Sequence, residues 1–137
     1  DTPGGHKVKT VCFDFDGVLA SYDGWKDGAI GDPIPGGVAL LRMCDAVGYR
    51  IVIQTCRTHP EHGAGDFQLR SIKSWLRDYK IPCDYIELDG KAMAHVYVDD
   101  RGLYFDQQLM KDLSPEGARV YAGSMFDIIR GRMERVK

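Results

Sequence analysis

The stretch Val11-Cys12-Phe13-Asp14-Phe15-Asp16-Gly17-Val18-Leu19 constrains this chain more than any other. Its apolar and β-branched start reads as a short buried strand, which runs into two carboxylates one residue apart and then a glycine. Buried strands rarely carry carboxylates, because an unpaired buried charge costs far more than the strand gains. At i and i+2 the two acids are expected on the same side of the chain, where they would repel. Such a pair calls for a counter-charge. A divalent metal is the simplest one, and hard oxygen ligands favour Mg²⁺.

The rest of the chain has to supply a fold that tolerates this pair. At 137 residues there is room for one domain with a real core, expected over residues 7–137. Residues 1–6 read as a flexible leader or an expression remnant. With 44% hydrophobic and 28% charged residues the composition is that of an ordinary globular protein. The formal net charge of −2 with no basic block argues against tight general nucleic-acid binding and leaves only a local groove for it. No apolar run approaches the roughly 20 residues of a membrane helix, and the N-terminus lacks a secretory apolar core. The cysteines at 12, 44, 56 and 83 form no Cys-x-x-Cys pair. They are expected to be reduced, mostly buried thiols of a cytoplasmic protein, and their spacing does not suit zinc.

Periodicity sets the elements. Lys7–Phe15 is the first strand, and 16–37, with six glycines and two prolines, is loop. Pro35-Gly36-Gly37 opens a helix over Val38–Val47 that Gly48 terminates. Tyr49–Gln54 is the second strand. Asp66 caps a helix over Phe67–Tyr79 with an apolar stripe of Leu69, Ile72, Trp75, Leu76 and Tyr79. Asp84–Leu88 and Ala94–Val98 are further strands. Ala118–Tyr121 is expected as an edge strand, and Ser124 as the cap of a last helix with Asp127 at its capping-box position. Residues 102–114 receive no assignment. Strands alternating with helices imply an α/β fold, a three-layer Rossmann-like core whose mainly parallel sheet carries helices on both faces.

Folds of that kind hold ligands at the carboxyl ends of their strands. The residues just past the strands are Asp14-Phe15-Asp16, Thr55-Cys56-Arg57 and Asp99-Asp100-Arg101. Polar and reactive groups from three strands are therefore expected on one edge. Asp14, at a strand end beside a metal, is a candidate nucleophile toward phosphorus. Asp16 is a candidate proton carrier, first to the leaving oxygen and then from water. Asp99 and Asp100 add carboxylate for the metal. Thr55 with Cys56 and the Gly17 loop offers a hydroxyl and amides for phosphoryl oxygens. Lys91 can bridge nucleophile and phosphate. The four Asp carry −4, and Mg²⁺ with Lys91 returns +3, so a phosphate dianion also needs loop amides or a further cation such as Arg57.

These motifs resemble those of the haloacid dehalogenase (HAD) superfamily. Phe13-Asp14-Phe15-Asp16-Gly17-Val18-Leu19 looks like its first motif, Thr55 like the second, Lys91 like the third and Val98-Asp99-Asp100 like the fourth, in the family's order and over nearly the whole chain. The resemblance implies a Rossmann-like core, Mg²⁺ and an aspartyl-phosphate intermediate. It makes Asp14 the nucleophile, Asp16 the general acid/base and Asp16's backbone carbonyl a metal ligand. It leaves open which of Asp99 and Asp100 binds metal directly. The second Asp of the first motif favours phosphate hydrolysis over dehalogenation. Family members often carry a cap domain, but 20–35 is too short for one. The chain thus resembles the small capless members, with Gly31-Asp32-Pro33-Ile34-Pro35-Gly36 before the helix.

Plainer readings stand beside the sharp ones. Thr55 could cap a strand end, Lys91 could be a solvated loop lysine, and Asp99-Asp100 could cap a helix. Arg57 and Arg101 suit a structural ion pair as well as a substrate contact. Trp25 could stack a base or sugar, or simply pack onto its loop. His59 and His62 read as exposed loop histidines, and His95 as a packed strand histidine. The leading expectation is an open-site, Mg²⁺-dependent phosphomonoesterase acting on a small or larger phosphorylated substrate. A nucleotidase or nucleic-acid 3′-phosphatase is the alternative in substrate, and a receiver-like module that holds phosphate without turnover the alternative in class. Solvent exclusion by a neighbouring subunit would fit a homo-oligomer.

Overall fold

The computed structural model describes residues 9–57, 65–88 and 92–136. Along them lie β1 (Thr10–Asp14), α1 (Pro35–Ala46), β2 (Arg50–Gln54), α2 (Gly65–Asp78), β3 (Tyr85–Glu87), β4 (Val96–Val98), α3 (Gln107–Asp112) and α4 (Pro115–Glu134). The chain divides into two compact units, 1–100 and 101–137.

The first unit is built on an all-parallel sheet with strand order β3-β2-β1-β4. β1 pairs with β2 from Thr10↔Arg50 to Asp14↔Gln54, and with β4 from Val11↔Val96 to Phe13↔Val98. Alternation within the strands separates two apolar faces. Val11, Phe13, Ile51 and Ile53 join Val38 and Leu41 of α1 and Ile72, Trp75 and Leu76 of α2 in the main core. Both helices therefore cover one face, as two successive right-handed crossovers in one direction require. On the other face Cys12 and Val52 pack with Ala92. After β3 the chain returns across the sheet to pair β4 with β1. The strand order thus reverses beside β1, the place where folds of this kind hold ligands at the carboxyl ends of their strands.

The loop from Phe15 to Ile34 is folded tightly. Leu19 and Ala20 N–H both donate to the Phe15 carbonyl, each at 3.0 Å, and Gly17 N–H donates to the Ala20 carbonyl at 2.8 Å. Ser21 N–H bonds Asp32 and Ile34 N–H bonds Leu19, so the loop closes on itself before α1 starts. It contains no helix and only isolated bridges of strand type, leaving no cap domain at this insertion point. Gly37 lets α1 begin against it, because a Cβ there would overlap the Val18 carbonyl. The Trp75 indole N–H donates to the Gly31 carbonyl at 3.0 Å and ties α2 to the same loop.

The second unit is helical. Asp106 caps α3 by accepting from Leu109 N–H at 3.0 Å, and Ser114 caps α4 by accepting from Gly117 N–H at 3.0 Å with Pro115 behind it. Two expectations fail here. Ala118–Tyr121 is helix, and Ser124 lies inside α4, its hydroxyl bonding the Val120 carbonyl at 3.3 Å. The stronger start signal is Ser114-Pro115, ten residues upstream, and a helix begun there carries the β-branched Val120 along with it. No helix among the described residues is long and apolar enough to cross a membrane.

Candidate active site

β1 carries Asp14 at its carboxyl end, and Asp99 and Asp100 follow just beyond the last residue of β4. One carboxylate oxygen from each of these three residues lies within 4.8 Å of the others. Asp14 is half-buried, and Asp99 and Asp100 are exposed. Gly17 makes room for this. Its φ is +91°, and a Cβ would overlap the Asp100 carboxylate. Three convergent oxygen donors at the open end of a parallel sheet suit a hard divalent cation.

Asp16 goes elsewhere. Alternation runs on past β1, since Phe15 N–H donates to the Gln54 carbonyl at 3.0 Å and Phe15 joins Val11 and Phe13 in the main core, yet the Asp16 carboxylate is not one of the clustered three. Phe15 itself drops into the core, fully buried, with its ring edge-on to Trp75 at 5.1 Å between centroids. The Asp16 carboxylate meets Arg57 in a two-pronged ion pair, Nε to one oxygen at 2.7 Å and Nη2 to the other at 2.8 Å. This side-chain pairing answers, for Asp16, the charge problem that the sequence poses.

Arg57 is itself tightly held. It is only 3% exposed. Its Nη1 donates to the Gly28 carbonyl at 2.9 Å and its Nη2 to the Ala29 carbonyl at 3.1 Å. The guanidinium lies 5.4 Å from the Trp25 ring centroid and 5.9 Å from that of Phe15. Its backbone N–H donates to the Thr55 hydroxyl at 3.0 Å, forming a short side-chain-closed turn with buried Thr55. Trp25 thus packs over an arginine within its own unit, with about a third of its surface exposed. Cys56, between Thr55 and Arg57, is an exposed free thiol. The expectation of mostly buried cysteines holds only for Cys12, since Cys44 and Cys83 are half-buried.

Lys91, His59 and His62 lie outside the described residues. The residue after Lys91 is anchored twice: Ala92 N–H donates to the Gln54 side-chain oxygen at 3.1 Å, and the Ala92 carbonyl accepts from the Tyr97 hydroxyl. Neither Gln54 nor Tyr97 stood out in the sequence. The available signal was that Gln54 ends a central strand, where a polar side chain can reach across the carboxyl edge. His95 is not the packed strand histidine expected: it is exposed and just precedes β4, its Nδ1 accepting from Thr10 N–H at 3.0 Å at the start of β1. The Arg101 carbonyl accepts from Arg132 at 3.2 Å within the second unit.

No protein-family model matches the chain, and no curated protein matches it. Solved structures do. A conserved protein from Bacteroides thetaiotaomicron aligns with a TM-score of 0.54 and 17% identity, over 81% of this chain and 97% of that one. A structural-genomics target from Vibrio cholerae aligns with a TM-score of 0.51 and 23% identity, over 88% and 98%. A chain of a Pnkp1/Rnl/Hen1 complex reaches a TM-score of 0.45 at 18% identity, over 77% and 33%, too weak a likeness to carry an argument. At these identities the likeness is one of fold, and it agrees with the parallel sheet in assigning the chain to the Rossmann-like α/β class.

Proposed function

We propose that this chain is a Mg²⁺-dependent phosphomonoester hydrolase of the HAD type, working through a phosphorylated Asp14 in an open site. The observation that carries the reading is the meeting of Asp14, Asp99 and Asp100 at the strand ends where the strand order reverses. Mg²⁺ would be held by these three carboxylates and, as the family resemblance implies, by the Asp16 carbonyl. When bound it would offset the charge that otherwise keeps a phosphate dianion away from the acids. Asp14 attacks phosphorus, and the alcohol leaves with a proton from Asp16. Water then attacks the acyl phosphate, giving its proton to Asp16 and releasing inorganic phosphate.

The formal charges support the same reading. Arg57 offsets Asp16 whenever that carboxylate is ionised, and the cluster of three acids carries −3. Mg²⁺ and Lys91 would return +3. A phosphate would then meet little net charge, and amides not already bonded within the turns could contribute.

A receiver-like module that stores phosphate is the competing reading. Receivers place the acidic pair at the first strand and the phosphorylated Asp on a later one, whereas here the closest carboxylates couple β1 to β4. Turnover decides between them. A panel of phosphate esters, including aryl phosphate, nucleotides and 3′-phosphorylated oligonucleotides, should show multiple turnovers with Mg²⁺ and none with EDTA. A single stoichiometric phosphorylation without further release would favour the receiver. Inertness across the panel would remove the hydrolase.

A further inference from the structure

Arg57 was a candidate substrate cation, yet its surroundings give it another task. A guanidinium has five N–H donors. Four are already used, two on Asp16 and one each on the Gly28 and Ala29 carbonyls. It is almost fully buried, with the Trp25 and Phe15 rings close by. A cation spent in this way has little left for a phosphate. What it does have is a fixed fork against one particular carboxylate.

The strap that receives the fork is also braced from its other side. Gly28 lies against the Gln68 side-chain amide of α2, in the space a Cβ would fill, and Gly31 accepts from Trp75. The Thr55 hydroxyl holds the backbone N–H of Arg57 at the end of β2, next to β1 in the sheet. Asp16 is therefore oriented by a rigid chain: β2 end, Arg57, strap, α2.

We infer that Arg57 is a positioning residue, which sets the direction of the Asp16 carboxylate and locks the 24–29 strap, and that it does not bind the substrate. This rests on the proposed hydrolase for its kinetic consequence, but its structural consequence is independent of turnover. Lysine cannot replace the fork, because a point charge cannot bind both carboxylate oxygens and two carbonyls in fixed directions. Arg57 acts through Asp16, so the two residues should behave as one unit.

The experiment combines Asp16→Asn, Arg57→Lys, Arg57→Ala and the double variant Asp16→Asn/Arg57→Ala in the full chain, with circular dichroism and thermal melting to establish folding. For an aryl phosphate with Mg²⁺, kcat should fall about a hundredfold in each single variant while KM stays within about threefold, as for loss of proton-transfer alignment. The double variant should be no slower than Asp16→Asn. A KM rise that Arg57→Lys repairs, or losses that multiply in the double variant, would overturn the inference in favour of a substrate cation.

The second readout needs no activity. Acrylamide quenching of tryptophan fluorescence should rise in Arg57→Lys, where Trp25 loses the guanidinium, and in Asp16→Asn, where the guanidinium loses its anionic partner, while core Trp75 contributes a constant background. Unchanged quenching in folded variants would refute the lock even if the wild type proved inert toward every ester. Raised quenching in an inert protein would sustain the lock and sink only the hydrolase.

Discussion

Asp14 and Asp16 are two residues apart and have opposite fates, and the difference comes down to a few neighbours. Asp14 joins a carboxylate cluster because Gly17 leaves the space that Asp100 enters. Gly17→Ala is therefore expected to push Asp100 aside and raise the Mg²⁺ concentration for half-maximal activity by about tenfold, the usual scale for losing a residue that supports a metal ligand. Titrating activity against Mg²⁺ checks this, and an unchanged midpoint would contradict it. Asp16 instead finds Arg57, a pairing the sequence offered only as one of two readings for that arginine. Their proximity depends on β1 and β2 being neighbours in register, and only the sheet reveals that.

Cysteine chemistry separates at the same scale. Burial pushes the Cys83 thiol from its ordinary 9.0 up to about 11, and the Asp84 charge adds to this, against hydrogen bonds from Tyr85 and Ile53. Between those two values the unfolded chain has lost the proton that the folded chain keeps. Unfolding then releases a proton, and stability falls as pH rises through 9 to 11. Denaturant midpoints across that window should fall less steeply in Cys83→Ser than in the wild type; identical slopes would exclude the thiol as the cause. At pH 8 a thiol reagent should modify exposed Cys56 well before Cys83, as mapped by peptide mass spectrometry.

The elements were read well where periodicity and end signals agreed. The stripe of α2 was visible in part: Ile72, Trp75 and Leu76 are buried, with Gln68 beside them, while Leu69 is half-buried and Tyr79 exposed. α1 starts at Pro35, three residues earlier than expected, because proline and glycine suit a first helical turn that must lie against another backbone. This gives a stability prediction for an element: Gly37→Ala forces a methyl onto the Val18 carbonyl and should cost about 1–3 kcal/mol, as overpacking does, measured by chemical denaturation. Gly36→Ala, next to it and facing open space, should cost far less. In 101–137 the reading failed for a physical reason. Val120 and Tyr121 are locally compatible with strand, and the helix capped at Ser114 carries them along.

For the whole molecule, the α/β class and the parallel sheet were legible, because buried parallel strands write themselves as short apolar runs. So was the convergence of Asp14, Asp99 and Asp100, since Asp14 and the Asp99-Asp100 pair come at the ends of such runs. The roles of Gln54, Tyr97 and the Gly28 and Ala29 carbonyls were not legible. They depend on contacts between segments far apart in sequence, and backbone carbonyls carry no sequence signature. The molecule's remaining problem is that of its opening stretch: a strand ending in acids, for which the proposed function supplies a cation and a phosphate. The most direct test is to quench turnover of a phosphate ester with acid and locate the phosphoryl group by peptide mass spectrometry. The account predicts a Mg²⁺-dependent phosphoryl group on the peptide that carries Asp14, absent with EDTA and in Asp14→Asn. Hydrolysis that survives in Asp14→Asn, or a phosphoryl group on a different residue, would contradict it.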